Sequence, residues 1–164
     1  MRYLLLCLLP LCYLNCSSPT MAGRTPAVPT APTAADLPTI IIGYTGGWGG
    51  GPAYKVENGK VYKSTKARAL GMPADILATD YATYSGAGTN ALRQLAADFQ
   101  PTTMAAFNPS FDCPEAASDR TCPYFIVVDN GQATAWTKSQ QSGSNGPAFN
   151  GWMERVVAAL GRLE

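Results

Sequence analysis

Two cysteines in the second half of the chain, Cys113 and Cys122, carry the first chemistry legible in this sequence. An even pair in an exported domain reads as a disulfide. The bond would close a short loop, worth about 2–3 kcal/mol in the loop-entropy account. The spacing is not the C-x-x-C of a redox pair. A structural zinc site takes four ligands, and the 164 residues include no histidine to make up the number. The same zero removes Ser-His-Asp and Cys-His catalysis and the commonest general base. No metal and no cofactor are therefore expected, and no catalytic residue is assigned. Carboxylates are what remain for an enzyme. Asp75 and Asp80 are one candidate pair of the kind glycosidases use. Asp112, Glu115 and Asp119 lie in the stapled loop, do not match EF-hand spacing, and read as solvated charges.

A third cysteine is an address. "MRYLLLCLLPLCYLNC" opens with Arg2 and continues as an apolar run from Tyr3 to Leu14. That run is too short to cross a bilayer as a helix and fits a signal-peptide core. It ends in "YLNC", which resembles the lipobox of bacterial lipoproteins and makes Cys16 the lipidated residue. Tyr13 and Asn15 depart from the usual lipobox letters. The alternative is ordinary signal cleavage after Ala22, with Thr20 and Ala22 as the small residues. Residues 17–38, "SSPTMAGRTPAVPTAPTAADLP", are rich in Pro, Thr, Ala and Ser and bury too little apolar surface to order themselves. They read as a disordered tether. The organisation is then signal peptide 1–16, tether 17–38 and one globular domain 39–164. The implied location is a bacterial cell envelope, with the membrane reached through the N-terminal lipid; secretion is the alternative.

Charge excludes some partners. Lysine plus arginine number 12 and aspartate plus glutamate 11, a net charge of +1, and no basic stripe suggests nucleic acid. The glycine-rich "TGGWGGGP", Thr45 to Pro52, is no nucleotide cradle. It lacks the Lys-Ser/Thr of a P-loop, and its glycines do not follow G-x-G-x-x-G. Two readings of it stay open. It is a wide turn with Trp48 folded back onto a sheet, or a recognition loop with Trp48 as an exposed aromatic anchor.

These residues need a frame. "TIIIGY" is a β-branched run and reads as a buried strand. Asn58-Gly59 and Asn130-Gly131 each sit between strand-like runs and signal type I′ turns. The first turn would oppose Glu57 to Lys60, Val56 to Val61 and Lys55 to Tyr62, with one face of the sheet covered. The second would oppose Phe125 to Trp136, and Tyr124, Phe125 and Trp136 read as core. "TNALRQLAADFQP" spaces Leu92, Leu95, Ala96 and Phe99 as a helix face, with Thr89 as N-cap. "GPAFNGWMERVVAALGRL" puts Phe149, Trp152, Met153, Val156, Val157, Leu160 and Leu163 on one stripe. Residues 64–88 read as loop with a short strand or a turn of helix, and 102–121 as irregular. The sum is an α+β domain. Its antiparallel sheet is built from a first strand and two Asn-Gly hairpins, with two amphipathic helices packed on one face.

The strand, the "GGWGG" loop and the following strand resemble the "SGGFAG"-like opening of emfourin-type proteins, small bacterial inhibitors of thermolysin-like metalloproteases. The later order, a Leu-rich helix, "YFIVVDNG" and a C-terminal helix, is similar in plan. The resemblance implies a contact loop at Gly46, Gly47, Trp48, Gly49 and Gly50 and a protease as protein partner. The resulting expectation is a lipid-anchored, non-enzymatic protein-binding domain. The rival expectations are an envelope enzyme using carboxylates and a structural or accessory envelope lipoprotein.

Overall fold

The computed structural model describes residues 37–47, 51–66, 71–139 and 146–163. Those residues form an α+β domain around a six-stranded antiparallel sheet. The strands are β1 (Thr39–Thr45), β2 (Tyr54–Glu57), β3 (Lys60–Ser64), β4 (Tyr81–Thr83), β5 (Cys122–Asp129) and β6 (Gln132–Thr137). Their order across the sheet is β4-β3-β2-β1-β5-β6. The helices are α1 (Pro73–Ala78), α2 (Thr89–Ala97), the single turn α3 (Pro101–Met104) and α4 (Pro147–Leu160), with a 3-10 turn at Pro114–Ser118.

β1 lies inside the sheet, between β2 and β5, and its isoleucine run needs no water. Ile40, Ile41 and Ile42 are all buried, so both of its faces are covered. Ile40 and Ile42 join one core with Leu92 and Leu95 of α2 and Met153 and Val156 of α4. Phe125 is the hub of that core. It stacks on Trp136 with ring centroids 5.3 Å apart and meets Trp152 and Phe99 at 5.4 and 5.5 Å. Beyond Glu57 the chain reverses through Asn58 (φ 49°) and Gly59 (φ 72°), and beyond Asp129 through Asn130 (φ 49°) and Gly131 (φ 77°). Amide side chains and glycine tolerate this left-handed region at little cost.

Three details differ from the sequence reading, and a fourth, β4, is the short strand it allowed within 64–88. The opposite face of the sheet is not left to solvent: Ile41, Ile76, Tyr124 and Ile126 form a second cluster there, with Ile76 supplied by α1. A sixth strand, β4, pairs with β3 along Tyr62–Thr83, Lys63–Ala82 and Ser64–Tyr81. α2 begins at Thr89 itself, and its N-cap is Gly88 at φ 76°. A β-carbon on Gly88 would stand 2.6 Å from the Arg162 carbonyl oxygen, so the close approach of the C-terminal segment selects glycine. Val157 leaves the buried stripe of α4: it is 38% exposed and borders a surface cleft described below.

Candidate functional site

The register of β1 against β5 pairs Thr45 with Cys122, so the strand leading to the glycine loop ends beside the cysteine pair. Cys113 and Cys122 are disulfide-bonded, with Cα atoms 5.8 Å apart. The bond ties the segment that carries the 3-10 turn to the start of β5. Cys113 Sγ lies 3.7 Å from the Thr45 carbonyl oxygen.

The first two glycines of the loop fit against this stapled segment. Gly46 has φ 90° and Gly47 φ 61°. A β-carbon on Gly46 would come within 2.9 Å of Cys113 Sγ and 3.0 Å of Ala116 Cβ. One on Gly47 would come within 2.9 Å of the Asp119 carbonyl oxygen. Both positions thus exclude side chains twice, by backbone conformation and by space. The segment offers its own left-handed residue, Asp119 at φ 60°, where the 3-10 turn ends. The loop therefore leaves the sheet from a fixed root. Trp48, Gly49 and Gly50 lie outside the described residues, as do Cys16 and the tether to residue 36. Gly51 is exposed, and a β-carbon there would meet nothing within 4 Å among the described residues.

Glu115 corrects the reading of the loop acids as solvated. Asp112 and Asp119 are exposed, but Glu115 is 3% exposed. Its Oε1 accepts a hydrogen bond from Ser139 Oγ at 2.8 Å, and its Oε2 stands 3.2 Å from Cys122 Sγ. A disulfide sulfur has no proton to donate, so the second approach is a contact rather than a conventional hydrogen bond. No local pattern in the sequence signals this burial, which depends on Ser139, 24 positions further along the chain.

Beside this platform a cleft of about 310 Å³ is lined by Tyr44, Glu115, Arg120, Cys122, Lys138 and Val157, among others. Its walls combine apolar surface with two cationic side chains. Lys138 also reaches Glu154 on α4 at 3.8 Å.

The other candidate carboxylates do not share this environment. Asp75 lies in the first turn of α1 and Asp80 just before β4, and both are exposed. On that side of the sheet the titratable groups with altered character are tyrosines. Desolvation pushes the Tyr81 phenol up to about 12. Desolvation, then the neighbouring Tyr81, raises that of Tyr124. Both remain neutral at ordinary pH. Tyr81 donates to the Ile76 carbonyl at 2.9 Å, and the Lys55 ammonium lies 5.0 Å from its ring centroid. These contacts fasten α1 and β4 to the sheet, a packing role. Tyr124, Phe125 and Trp136 are buried and belong to the two cores.

The chain matches no protein family, no curated protein and no solved structure.

Proposed function

We propose that this protein is a lipid-anchored envelope protein whose domain binds another protein through the loop at Gly46, Gly47, Trp48, Gly49 and Gly50, without catalysing a reaction. The observation that carries the reading is the fixed root: Gly46 and Gly47 are clamped in the left-handed region against the disulfide-stapled segment. A loop rooted in this way spends less conformational entropy on ordering when it binds. Glycines on either side let its backbone approach a second surface, and one indole among them supplies most of the contact area. In this reading the two Asn-Gly hairpins, and the amphipathic helices on one face, are the scaffold that holds the loop. The adjoining cleft, with Tyr44 and Val157 beside Arg120 and Lys138, extends the contact surface towards an acidic or mixed partner segment. The resemblance of the loop to that of emfourin-type inhibitors supplies the partner class, a thermolysin-like metalloprotease.

The test is paired. Wild type and Trp48→Ala are compared for inhibition of a thermolysin-like protease, for capture of envelope proteins, and for melting temperature. The expected result is a loss of about 2 kcal/mol or more in affinity, roughly thirty-fold. The accompanying loss of fold stability is under about 1 kcal/mol. A large fall in melting temperature with binding unchanged would make Trp48 a lid of the core and end the contact-loop reading. The anchor is tested separately. Cys16→Ser should leave the membrane fraction, and intact mass of the wild type should show a lipid adduct on Cys16. A Cys16→Ser protein held in the membrane at wild-type level refutes the anchor.

A further inference from the structure

We propose that Cys113, Glu115 and Cys122 form a latent site for one zinc(II) ion, closed by the disulfide and opened when that bond is reduced. The donor atoms of the three side chains already lie within 4.8 Å of one another. Cys122 and Glu115 are 1% and 3% exposed, and Cys113 is half-buried. Zinc takes thiolate and carboxylate ligands at about 2.3 and 2.0–2.2 Å, and three protein ligands plus water is an established arrangement for it. The sulfurs must separate to fit such a sphere, and loss of the S–S bond frees them to do so.

Two further features suit a metal rather than a bare disulfide. Ser139 Oγ donates to Oε1 of Glu115, and Oε2 stands 3.2 Å from Cys122 Sγ, so the carboxylate is already oriented by an outer partner, as metal-binding carboxylates usually are. The cleft that reaches Glu115 and Cys122 provides an approach for the ion and room for a water in the fourth position. The sequence reading disfavoured zinc because it counted four ligands and found no histidine to complete them. The third ligand is a glutamate that the fold buries.

The chemistry balances. The disulfide accepts two electrons and two protons and becomes two thiols. In a cell the electrons come from a dithiol that is itself oxidised to a disulfide. In the tube a phosphine serves: it takes up the oxygen of one water, whose hydrogens end on the two sulfurs. Zinc(II) then displaces both thiol protons to solvent and binds two thiolates and the Glu115 carboxylate. The proposal does not depend on the contact-loop reading above.

The experiment uses the full chain with Cys7, Cys12 and Cys16 replaced by Ser, so that only this pair can supply sulfur. The protein is reduced with a phosphine, freed of it anaerobically, checked by circular dichroism, and titrated with zinc(II), with cadmium(II) as a spectroscopic probe. One equivalent should bind the reduced protein, with a thiolate-to-cadmium charge-transfer band. The oxidised protein should bind at least ten-fold more weakly. Zinc-edge X-ray absorption should show two sulfur neighbours and at least one oxygen. Glu115→Gln should weaken binding at least ten-fold while keeping both sulfurs. The proposal is overturned if the reduced protein binds no more tightly than a Cys113→Ser, Cys122→Ser version, or if absorption finds fewer than two sulfurs. It is also overturned if Glu115→Gln binds as well as the parent, or if a reduced protein that has lost its native spectrum does not regain it with metal. Should Glu115→Gln fail to fold, the oxygen neighbour and the Ser139→Ala variant decide. Ser139→Ala should lower affinity about ten-fold, and an unchanged affinity with no oxygen neighbour refutes the role of Glu115.

Discussion

Replacing Gly46 with alanine tests whether the root of the glycine loop is as tightly constrained as its surroundings suggest. The backbone there is at φ 90°, and an L-residue in the left-handed region costs roughly 1–2 kcal/mol. The new methyl would also stand 2.9 Å from Cys113 Sγ, 3.0 Å from Ala116 Cβ and 3.1 Å from the Arg120 carbonyl oxygen. Forcing a carbon into packed surroundings costs about 1–3 kcal/mol. The sum is roughly 2–5 kcal/mol, which for a domain of this size lowers the melting temperature by on the order of 10 °C. Gly51→Ala is the internal control, because a β-carbon there meets nothing within 4 Å among the described residues. Urea unfolding of the two variants should separate them by at least about 2 kcal/mol at unchanged m-value. A second arm isolates the sulfur. In a Cys113→Ala, Cys122→Ala background the nearest obstacle is gone, so Gly46→Ala should cost less than in the parent, a coupling of at least about 0.5 kcal/mol. If Gly46→Ala lies within about 0.5 kcal/mol of wild type, the loop root gives way freely and the argument for a pre-formed contact loop falls with it.

Three further outcomes follow from the packing. Gly151 lies exposed inside α4, and a β-carbon there meets nothing within 4 Å, so Gly151→Ala should raise stability by about 0.5–1 kcal/mol, read as a higher urea midpoint. Phe125 is fully buried among three aromatic rings, and Phe125→Ala should cost about 3–5 kcal/mol, visible as a collapse of the thermal transition. Tyr81 holds its proton more tightly when folded, about 12 against an ordinary 10.0, so its contribution is complete below pH 10.0 and drains away as pH rises towards 12. Melting temperature should therefore fall over that window, and Tyr81→Phe should reduce the fall, Tyr124 supplying part of the remainder; an equal slope in the variant would show that Tyr81 contributes nothing to it.

The sequence spoke most clearly where one local rule decided the structure. An Asn-Gly step between two β-rich runs has few conformations open to it, and both steps lie at positive φ. Three consecutive isoleucines can only be buried, and they sit in the middle of the sheet. The class, α+β with an antiparallel sheet, follows from that level of information. What sequence could not carry was the second face. Ile76 stands in a six-residue helix with one buried side chain, too short for a periodic signal. β4 has three residues, and its place is set by pairing with β3 rather than by its own composition. Gly88 was hidden for a similar reason: its need for glycine arises from Arg162, far along the chain, and no local pattern records that contact.

The candidate site shows the same limit more sharply. Each of its parts was visible as a residue type: a glycine run, a cysteine pair, an acid between them. Their juxtaposition depends on β1 pairing with β5 so that Thr45 meets Cys122, a contact made across 77 positions of chain (122 − 45). Once that register is set, the consequences are local. Gly46 must lack a side chain because Cys113 is there, and Glu115, on the turn between the two cysteines, is buried where Ser139 donates to its carboxylate. The disulfide is thus more than a staple on an irregular loop. It is the wall against which Gly46 is seated and the neighbour of a buried carboxylate, so its reduction should alter both. A structural disulfide that merely closed a loop would lose about 2–3 kcal/mol on reduction and leave Gly46 and Glu115 as they were. Here, reduction should make Gly46→Ala less costly and should open Glu115 to a cation, two readouts that a plain loop closure does not predict.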